Sequence, residues 1–378
     1  MTAKQYNFTK QNGVVMKARK RFTKQNGVVK QILAGWTKRN GVVEQVYSRD
    51  RISQPITFVP ITDAWDYCPI YATVDAIYAV KDNVNNLYKI SNYWDSPEIT
   101  QMEYNGISGS ADQSFFNYAG GDTKKQSFLG QKSNYSAFRE TFVENFDYVS
   151  FSTNGYATKT TIKLGDNLLM TPNGTTGYYE INLAIKSIQT KYWDEDLPVS
   201  MSATGPYYGA ITLSDGFGVM VNKNGSSLFV MSYNNGIVKH VKTTIGANYV
   251  LPAVFTPNGQ DVIIDLPTYG NIGRIAKYNP VANTISTWTP LGSGGVIGAY
   301  GGFVFYIRNA TNNNIAFYVD KYNISGEVVS TLEVPLPEGV PHPETITTDY
   351  DYATKHSGRF AAIVIGSTHQ VVFDLAKI

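Results

Sequence analysis

The sequence has few of the residues that build cross-linked or reactive sites. It contains one cysteine, Cys68, so no disulfide can form within the chain and a cysteine-based zinc site is excluded. It contains four histidines, and none of them has a partner at the spacing that metal ligands need. We therefore expect no metal and no cofactor, and we expect that the protein is not an enzyme.

Long apolar runs are also missing. No stretch of about 18 residues is apolar enough to cross a membrane, so we expect no membrane span. The amino-terminal segment carries lysines but no continuous apolar run before a small-residue cleavage site, which argues against a secretory signal. The expected site of synthesis is a cytoplasm.

Charged residues make up only 16% of the chain, and they are unevenly distributed. Residues 1–51 hold twelve basic and two acidic side chains, a net charge of +10, whereas residues 52–378 hold twenty basic and twenty-eight acidic side chains, a net charge of −8. A basic leader on a mildly acidic body indicates that one end of the chain has its own partner surface. We therefore predict two domains, residues 1–51 and residues 52–378.

Residues 8–49 consist of three consecutive copies of a 14-residue repeat. Each copy begins with an aromatic residue and a threonine and continues to an Asn-Gly pair and a Val-Val pair, in the sequences FTKQNGVVMKARKR, FTKQNGVVKQILAG and WTKRNGVVEQVYSR. Asn-Gly is the preferred pair for a two-residue hairpin turn, because both positions need a positive φ. Each copy is therefore predicted to form one hairpin. A second tight turn near Ala34-Gly35 would join the hairpins into a small β-meander with no second layer to cover it.

Both faces of this meander carry apolar as well as polar side chains, so neither is a purely solvent-exposed face. This pattern is compatible with docking onto a larger assembly. Strand alternation in the middle copy places Phe22, Lys24, Val29, Gln31 and Leu33 on one face. A solvated meander and a nucleic-acid-binding module are the alternatives, but the aromatic residues recur at equivalent positions, as packing residues do. We expect no nucleic-acid partner. The predicted partner-docking residues are Phe8, Lys10, Phe22, Lys24, Val29, Trp36, Lys38 and Arg39.

The repeat resembles the short tandem hairpins found near the ends of bacteriophage tail-fibre, tail-tip and other virion proteins. The resemblance covers residues 8–49 and rests on the pattern aromatic-x-K-x-NG-V. It implies a structural protein of a virion that is made in the host cytoplasm. It also implies that residues 1–51 attach to other virion proteins and that several copies are present in each particle.

Beyond the leader, strand-like segments of five to eight residues alternate with turns rich in Asn, Gly, Pro and Asp. Residues 295–335 are typical of a four-stranded antiparallel meander, and equivalent third strands recur roughly every 42–46 residues, the spacing of a propeller blade. We predict an all-β fold with a β-propeller of about seven four-stranded blades. Six blades, or a pair of β-sandwich domains, are the alternatives. Residues 52–60 are predicted to pair with the last sheet and close the ring.

Aromatic residues in or beside predicted turns are the candidates for a surface that binds a host glycan or protein. Exposed rings offer apolar faces for stacking, while their polar groups stay hydrated. These surface-binding candidates are Trp65, Trp94, Trp193, Tyr207 and Tyr208, and Tyr67 and Tyr192 occupy similar positions. The acidic run Asp194-Glu195-Asp196 has the oxygen ligands that calcium prefers, but a solvated loop is the better interpretation. No set of carboxylates, histidines or nucleophiles forms a catalytic pattern.

Together these features predict a non-enzymatic phage structural protein located in the virion. The repeats would dock onto the particle, and the propeller would present a binding surface in the tail, as part of a fibre, tip or baseplate that recognises the host. A decoration protein of the head or collar is one alternative. A carbohydrate-active propeller enzyme such as a depolymerase is the other, and it would need carboxylates that face the central channel.

Overall fold

A computed structural model of the chain shows strands joined by turns, with one short 3-10 helix among the residues described. The chain divides into two compact units, Met1–Ser53 and Gln54–Ile378. The structure describes residues 10–11, 14–15, 22–25, 28–31, 34–39, 42–48, 54–81, 86–101, 116–120, 125–132, 135–142, 145–152, 162–165, 168–182, 184–185, 187–199, 208–214, 216–246, 255–258, 261–268, 271–309, 316–340 and 358–378.

The amino-terminal unit contains one antiparallel strand pair in each repeat. These pairs are Lys10–Gln11 (β1) with Val14–Val15 (β2), Phe22–Gln25 (β3) with Val28–Gln31 (β4), and Ala34–Arg39 (β5) with Val42–Ser48 (β6). The same repeat positions face each other in all three pairs, as Lys10 with Val15, Lys24 with Val29, and Lys38 with Val43. The two residues between the innermost partners are the Asn-Gly of each repeat, so the strand pairing agrees with the predicted hairpins.

The prediction of one continuous meander is wrong for the described residues. Their strands form three separate two-stranded sheets rather than one sheet of six strands. Ala34 and Gly35 were expected at a turn, but they lie inside β5 and pair with Ser48 and Tyr47. A register shift follows between Gly35 and Trp36, so the glycine sits beside an irregularity in the strand rather than at a turn.

The second unit begins with strand Ile56–Pro60 (β7) and the 3-10 helix Ala64–Asp66, and six four-stranded antiparallel sheets follow within the described residues. In each sheet the strands are neighbours in chain order, which confirms the predicted four-stranded antiparallel units.

The first three sheets have the following strands. Sheet 1 contains Tyr67–Ala72 (β8), Ala76–Lys81 (β9), Asn86–Ser91 (β10) and Glu98–Gln101 (β11). Sheet 2 contains Phe116–Gly120 (β12), Lys125–Lys132 (β13), Tyr135–Phe142 (β14) and Asn145–Ser152 (β15). Sheet 3 contains Ile162–Leu164 (β16), Leu168–Asn173 (β17), Gly177–Asn182 (β18) and Ser187–Tyr192 (β19).

The next three sheets have longer strands. Sheet 4 contains Tyr208–Ser214 (β20), Phe217–Asn224 (β21), Ser227–Asn234 (β22) and Ile237–Thr244 (β23). Sheet 5 contains Phe255–Asn258 (β24), Asp261–Thr268 (β25), Asn271–Asn279 (β26) and Thr284–Trp288 (β27). Sheet 6 contains Gly294–Tyr300 (β28), Phe303–Asn309 (β29), Ala316–Asn323 (β30) and Val328–Pro335 (β31).

The last sheet, sheet 7, joins the two ends of the unit. It contains Phe360–Ile365 (β32) and His369–Asp374 (β33), and β7 pairs with β33 in a register that runs from His369 opposite Pro60 to Phe373 opposite Ile56. The predicted pairing of residues 52–60 with the last sheet is therefore confirmed for residues 56–60. Within the described residues this sheet has three strands, in the order β32-β33-β7.

Contacts join consecutive sheets and also join the last sheet to the first, and β12 of sheet 2 contacts β20 of sheet 4 as well as β16 of sheet 3. First strands contact each other in sheets 3, 4, 5 and 6, as β16 with β20, β20 with β24, and β24 with β28. Strand β32 contacts β8, and the Nε2 of Gln370 donates to the backbone oxygen of Tyr67 at 2.5 Å. The last sheet is thus held directly against the first.

The core lies between the sheets and is built mainly from second and third strands. Strand β32 (FAAIVI) is buried along its whole length, and β21 and β22 are buried over five and six consecutive residues. Such strands appear in the sequence as continuous apolar runs, because both of their faces pack against neighbours. The outer strand β23 (IVKHVKTT) alternates between more and less exposed positions, so one of its faces is turned to solvent.

Polar contacts also hold the ends of third strands, and three of these strands end in the same pair of residues. These strands finish with Tyr-Asn, as Tyr233-Asn234, Tyr278-Asn279 and Tyr322-Asn323. The Tyr278 hydroxyl donates to Ser232 of the preceding sheet at 3.0 Å, and the Tyr322 hydroxyl accepts from the backbone of Leu291 at 2.9 Å. The asparagine oxygen caps the following turn, since Asn279 accepts from Ala282 at 2.8 Å. This recurring pair was not predicted from the sequence.

A buried ion pair fixes the end of β33. Both carboxylate oxygens of Asp374 accept hydrogen bonds of 2.7 Å from Arg359, and Lys377 lies 3.3 Å away. The Asp374 side chain is fully buried, whereas the Arg359 side chain is one-third exposed. Burial alone would raise the pKa of Asp374, but the hydrogen bonds and charges of Arg359 and Lys377 outweigh it and hold that pKa below its ordinary value.

Removal of residues 1–53 leaves the second unit complete, whereas removal of residues 1–60 also takes away β7. Loss of β7 uncovers the edge of β33 and the core around Val59, which is 0% exposed. We expect the protein of residues 54–378 to keep the unfolding temperature of the second unit. The protein of residues 61–378 should unfold about 10 °C lower or aggregate. Thermal unfolding followed by circular dichroism tests this, and equal unfolding temperatures would contradict it.

Substitution Arg359→Gln should lower the free energy of unfolding at pH 7 by about 2 kcal/mol, between the values typical of exposed and fully buried pairs. Because the folded-state pKa of Asp374 lies below its unfolded value, the pair stabilises the protein above about pH 4, and this contribution is lost as the pH falls through the folded-state pKa. The variant should therefore lose less stability on acidification than the parent. Urea unfolding across pH 3 to 7 measures this, with Lys242→Gln on the exposed outer strand β23 as the control. Parallel pH profiles for parent and variant would refute the assignment.

Candidate binding surfaces

The first candidate surface is one face of each amino-terminal hairpin. The register pairs Phe22 with Gln31 and Lys24 with Val29, so these four positions share a face, as the alternation predicts. Trp36 and Lys38 occupy the equivalent positions in the third repeat, opposite Gln45 and Val43. Of the other predicted docking residues, Lys10 lies in β1, Arg39 lies at the end of β5, and Phe8 is outside the described residues.

The predicted aromatic candidates of the second unit do not form one group. Trp65 lies in the 3-10 helix and Tyr208 begins β20, but their side chains, like the whole of Tyr207, are outside the description. Trp94 is half-buried in the turn between β10 and β11 and meets the Tyr93 ring edge-on at 5.1 Å. Tyr93 is buried, and its hydroxyl donates to the backbone of Thr73 at 2.7 Å, so it anchors this turn to the sheet.

Trp193 is not a surface residue, which corrects the prediction that it offers an exposed ring. It is 8% exposed and packs against Tyr178 with ring centroids 4.5 Å apart. The segment after β19 folds back along sheet 3, where the backbone nitrogens of Trp193 and Leu197 donate to Thr176 and Thr175 at 3.0 and 2.8 Å. A position beside a turn therefore does not imply exposure here, because the turn itself covers the core.

A group of half-buried and exposed side chains lies together on one face of sheet 1. We call it the sheet-1 cluster, and it consists of Asp66, Tyr67, Lys81, Tyr88 and Gln101. Each strand of sheet 1 supplies one member, and Asp66 comes from the helix that precedes the sheet. The register places Tyr67 opposite Lys81 and Tyr88 opposite Gln101, so the cluster crosses the whole sheet.

The contacts within the sheet-1 cluster combine aromatic and charged groups. The Tyr67 and Tyr88 rings meet edge-to-face at 5.3 Å, and the Lys81 nitrogen lies 5.1 Å from the centre of the Tyr67 ring. Lys81 also lies 3.7 Å from Asp66, and the Tyr88 hydroxyl donates to Gln101 at 3.4 Å. Interaction with Tyr67, and less strongly with Asp66, raises the pKa of Lys81, so this side chain is charged at neutral pH. The cluster thus offers aromatic surface together with donors and acceptors of hydrogen bonds.

Tyr67 was a candidate from the sequence, but the other members of the sheet-1 cluster were not. Lys81 and Tyr88 lie in strands where nothing in the local sequence marks them as exposed. Only the strand register shows that they share a face with Tyr67. Side chains alternate between the two faces along each strand. That alternation in all four strands, aligned in the correct register, is the signal that predicts this shared face.

In the described part of the chain, the acidic residues 194–196 and the histidines do not form a metal-binding site. Asp194, Glu195 and Asp196 are all exposed, as expected for a solvated loop. In the residues that the structure describes, no group of three or more histidine, cysteine, aspartate or glutamate side chains could hold a metal ion. His240 lies in the outer strand β23 and stacks on Phe229 at 5.6 Å, whereas His342 and His356 are outside the description.

Comparison with known proteins identifies the fold of the second unit. The structure of YCF48 from Cyanidioschyzon merolae, a β-propeller protein, matches with a TM-score of 0.50 at 9% identity, over 86% of this chain and 100% of that one. The second unit is a β-propeller. BamB from Moraxella catarrhalis matches with a TM-score of 0.42 at 9% identity, over 81% of each chain. TolB from Acinetobacter baumannii matches with a TM-score of 0.38 at 15% identity, over 75% of this chain and 64% of the TolB chain.

These likenesses concern the fold alone, because the identities are low. No protein-family model matches the chain, and no curated protein matches it. Among the described residues of the propeller and the hairpins, no helix is both long and apolar enough to cross a membrane.

Proposed function

We propose that this chain is a non-enzymatic structural protein of a bacteriophage virion, located in the tail as part of a fibre, tip or baseplate. The amino-terminal hairpins dock it onto the particle, and the propeller presents a surface that contacts the host. The observation that carries the proposal is the division of charge, with +10 in the hairpin repeats and −8 in the rest of the chain. Such a division supports one dedicated docking end with an acidic partner.

The hairpins supply a physical reason for docking. A two-stranded hairpin is marginally stable alone in water, and each described hairpin is a sheet of two strands. A partner that covers the face with Phe22 and Lys24 would bury the aromatic ring and pair the charge. Three equivalent hairpins repeat this contact, which raises the total affinity beyond that of any single one.

We further propose that the propeller has seven blades. Six four-stranded sheets are described, and sheet 7 supplies the remaining blade. The burial of β32 and β33 matches that of β21 and β22, the second and third strands of sheet 4, which supports β7 as the outer strand of the same blade. A closed ring of this kind is a rigid platform on which a binding surface keeps its shape.

Immunogold electron microscopy of purified particles tests the location. Antibodies raised against residues 54–378 should place gold at the tail tip or fibres. Gold on the head or neck would instead support a decoration or collar protein. Particles without gold would contradict the virion proposal.

Substitution of the hairpin aromatics tests the docking end. Phe22→Ser together with Trp36→Ser should lower the number of copies per particle at least tenfold, because each buried aromatic anchor contributes roughly 1–2 kcal/mol. Thr23→Ala together with Thr37→Ala is the matched control, since these positions lie on the opposite face of the same hairpins. Quantitative immunoblotting of purified particles gives the copy number, and equal incorporation of both double variants would exclude this face as the docking face.

A further inference from the structure

The sheet-1 cluster has the composition of a binding site and the rigidity of a core element. Its two tyrosines are half-buried rather than free to rotate, and their rings brace each other at 87°. The backbone of Tyr67 is held by Gln370, a side chain that is 0% exposed and belongs to the last sheet. The backbone nitrogen of Asp66 donates to the backbone oxygen of Asp63 at 2.8 Å, which fixes the backbone of Asp66 next to Tyr67. The groups are therefore in place before any ligand arrives.

The charges of the cluster largely cancel. Lys81 and Asp66 lie 3.7 Å apart, so neither an anion nor a cation would find an unbalanced charge there. What remains is aromatic surface at Tyr67 and Tyr88, surrounded by an ammonium group, a carboxylate and the amide of Gln101. A ligand that fits this arrangement has an apolar face to lie on a ring and neutral hydroxyl groups at its rim.

We propose that the sheet-1 cluster binds a neutral pyranose unit of a surface saccharide. The C–H face of the sugar packs on a tyrosine ring, the hydroxyls donate to Asp66 and accept from Lys81, and Gln101 serves in either role. The inference deepens the proposed function, since it names the class of host ligand for the propeller. It requires binding only, without a chemical step.

Ligand-observed saturation-transfer NMR on the full-length chain tests the site. The probes are the methyl glycosides of glucose, galactose, mannose and N-acetylglucosamine, each at millimolar concentration. At least one probe should give a saturation signal, and Tyr67→Ala or Tyr88→Ala should weaken its binding at least tenfold. Tyr67→Phe, which keeps the ring, should retain most of the binding.

Two controls separate loss of binding from loss of folding. Gln101→Ala removes an exposed hydrogen-bonding group without touching the core, and it should weaken the same probe about three-fold or more. Tyr300→Ala removes a tyrosine that is 39% exposed on sheet 6, and it should leave binding unchanged. Unfolding temperatures of all variants are measured alongside.

Absence of a signal from all four probes would overturn the inference, and so would equal binding by parent, Tyr67→Ala and Tyr88→Ala. Binding only to sialic acid or glucuronic acid, used as charged comparison probes, would also overturn the neutral assignment. None of these outcomes bears on the immunogold result. Failure of the saccharide inference is therefore distinguishable from failure of the virion proposal.

Discussion

The pairing of β7 with β33 is the contact on which the second unit depends. It joins residues about 300 positions apart in the chain, so its formation must offset a large loop-closure entropy. Each other sheet is made from neighbouring segments, but this one exists only when both ends of the unit meet. The Gln370 hydrogen bond to Tyr67 then fixes the first sheet against the last. The rigidity of the sheet-1 cluster is a direct consequence, because Tyr67 stands at this junction.

Consecutive sheets are held by a small set of polar contacts within an apolar core. Asp265, which is 1% exposed, accepts a hydrogen bond from the backbone of Val296 in the next sheet at 3.0 Å. Tyr278 reaches Ser232 in the preceding sheet, and Asn283 donates to the backbone of His240 there at 2.8 Å. Apolar packing alone would let one sheet slide on another, whereas these directional bonds fix the position of each pair of sheets.

Local patterns were enough to predict the strands but not the surfaces. Residues 295–335 were predicted to form a four-stranded antiparallel meander, and sheet 6 lies there, because Gly301-Gly302 and Gly326 form turns at positive φ between its strands. Trp193 was misplaced because its burial depends on a segment that folds back, which no local pattern records. The sheet-1 cluster depends on cross-strand register for the same reason.

The Tyr-Asn ends of the third strands show how repeated sheets can share a structural device without a familiar family motif. The third strands of sheets 5 and 6 must each end in a tight turn, and each must also be tied there to a segment outside its own strand, which is Ser232 for Tyr278 and Leu291 for Tyr322. Asparagine solves the first requirement by accepting backbone N–H groups, as Asn323 does from Ser325 and Glu327 at 3.0 Å. Tyrosine solves the second, since its hydroxyl reaches beyond its own strand while its ring stays in the core.

Two energetic contributions, one from charge and one from apolar burial, are expected at the hairpin end of the chain. Twelve basic side chains within residues 1–51 repel each other, and that repulsion weakens as salt is added. In the proposed complex, burial of Phe22 and Trp36 against the partner would add an apolar contribution that salt does not screen. In the proposed docking, charge would govern how fast and how selectively the hairpins meet an acidic partner, and the aromatics would govern how long they stay. A docking end built in this way would associate readily with a crowded particle surface and still remain attached at high ionic strength.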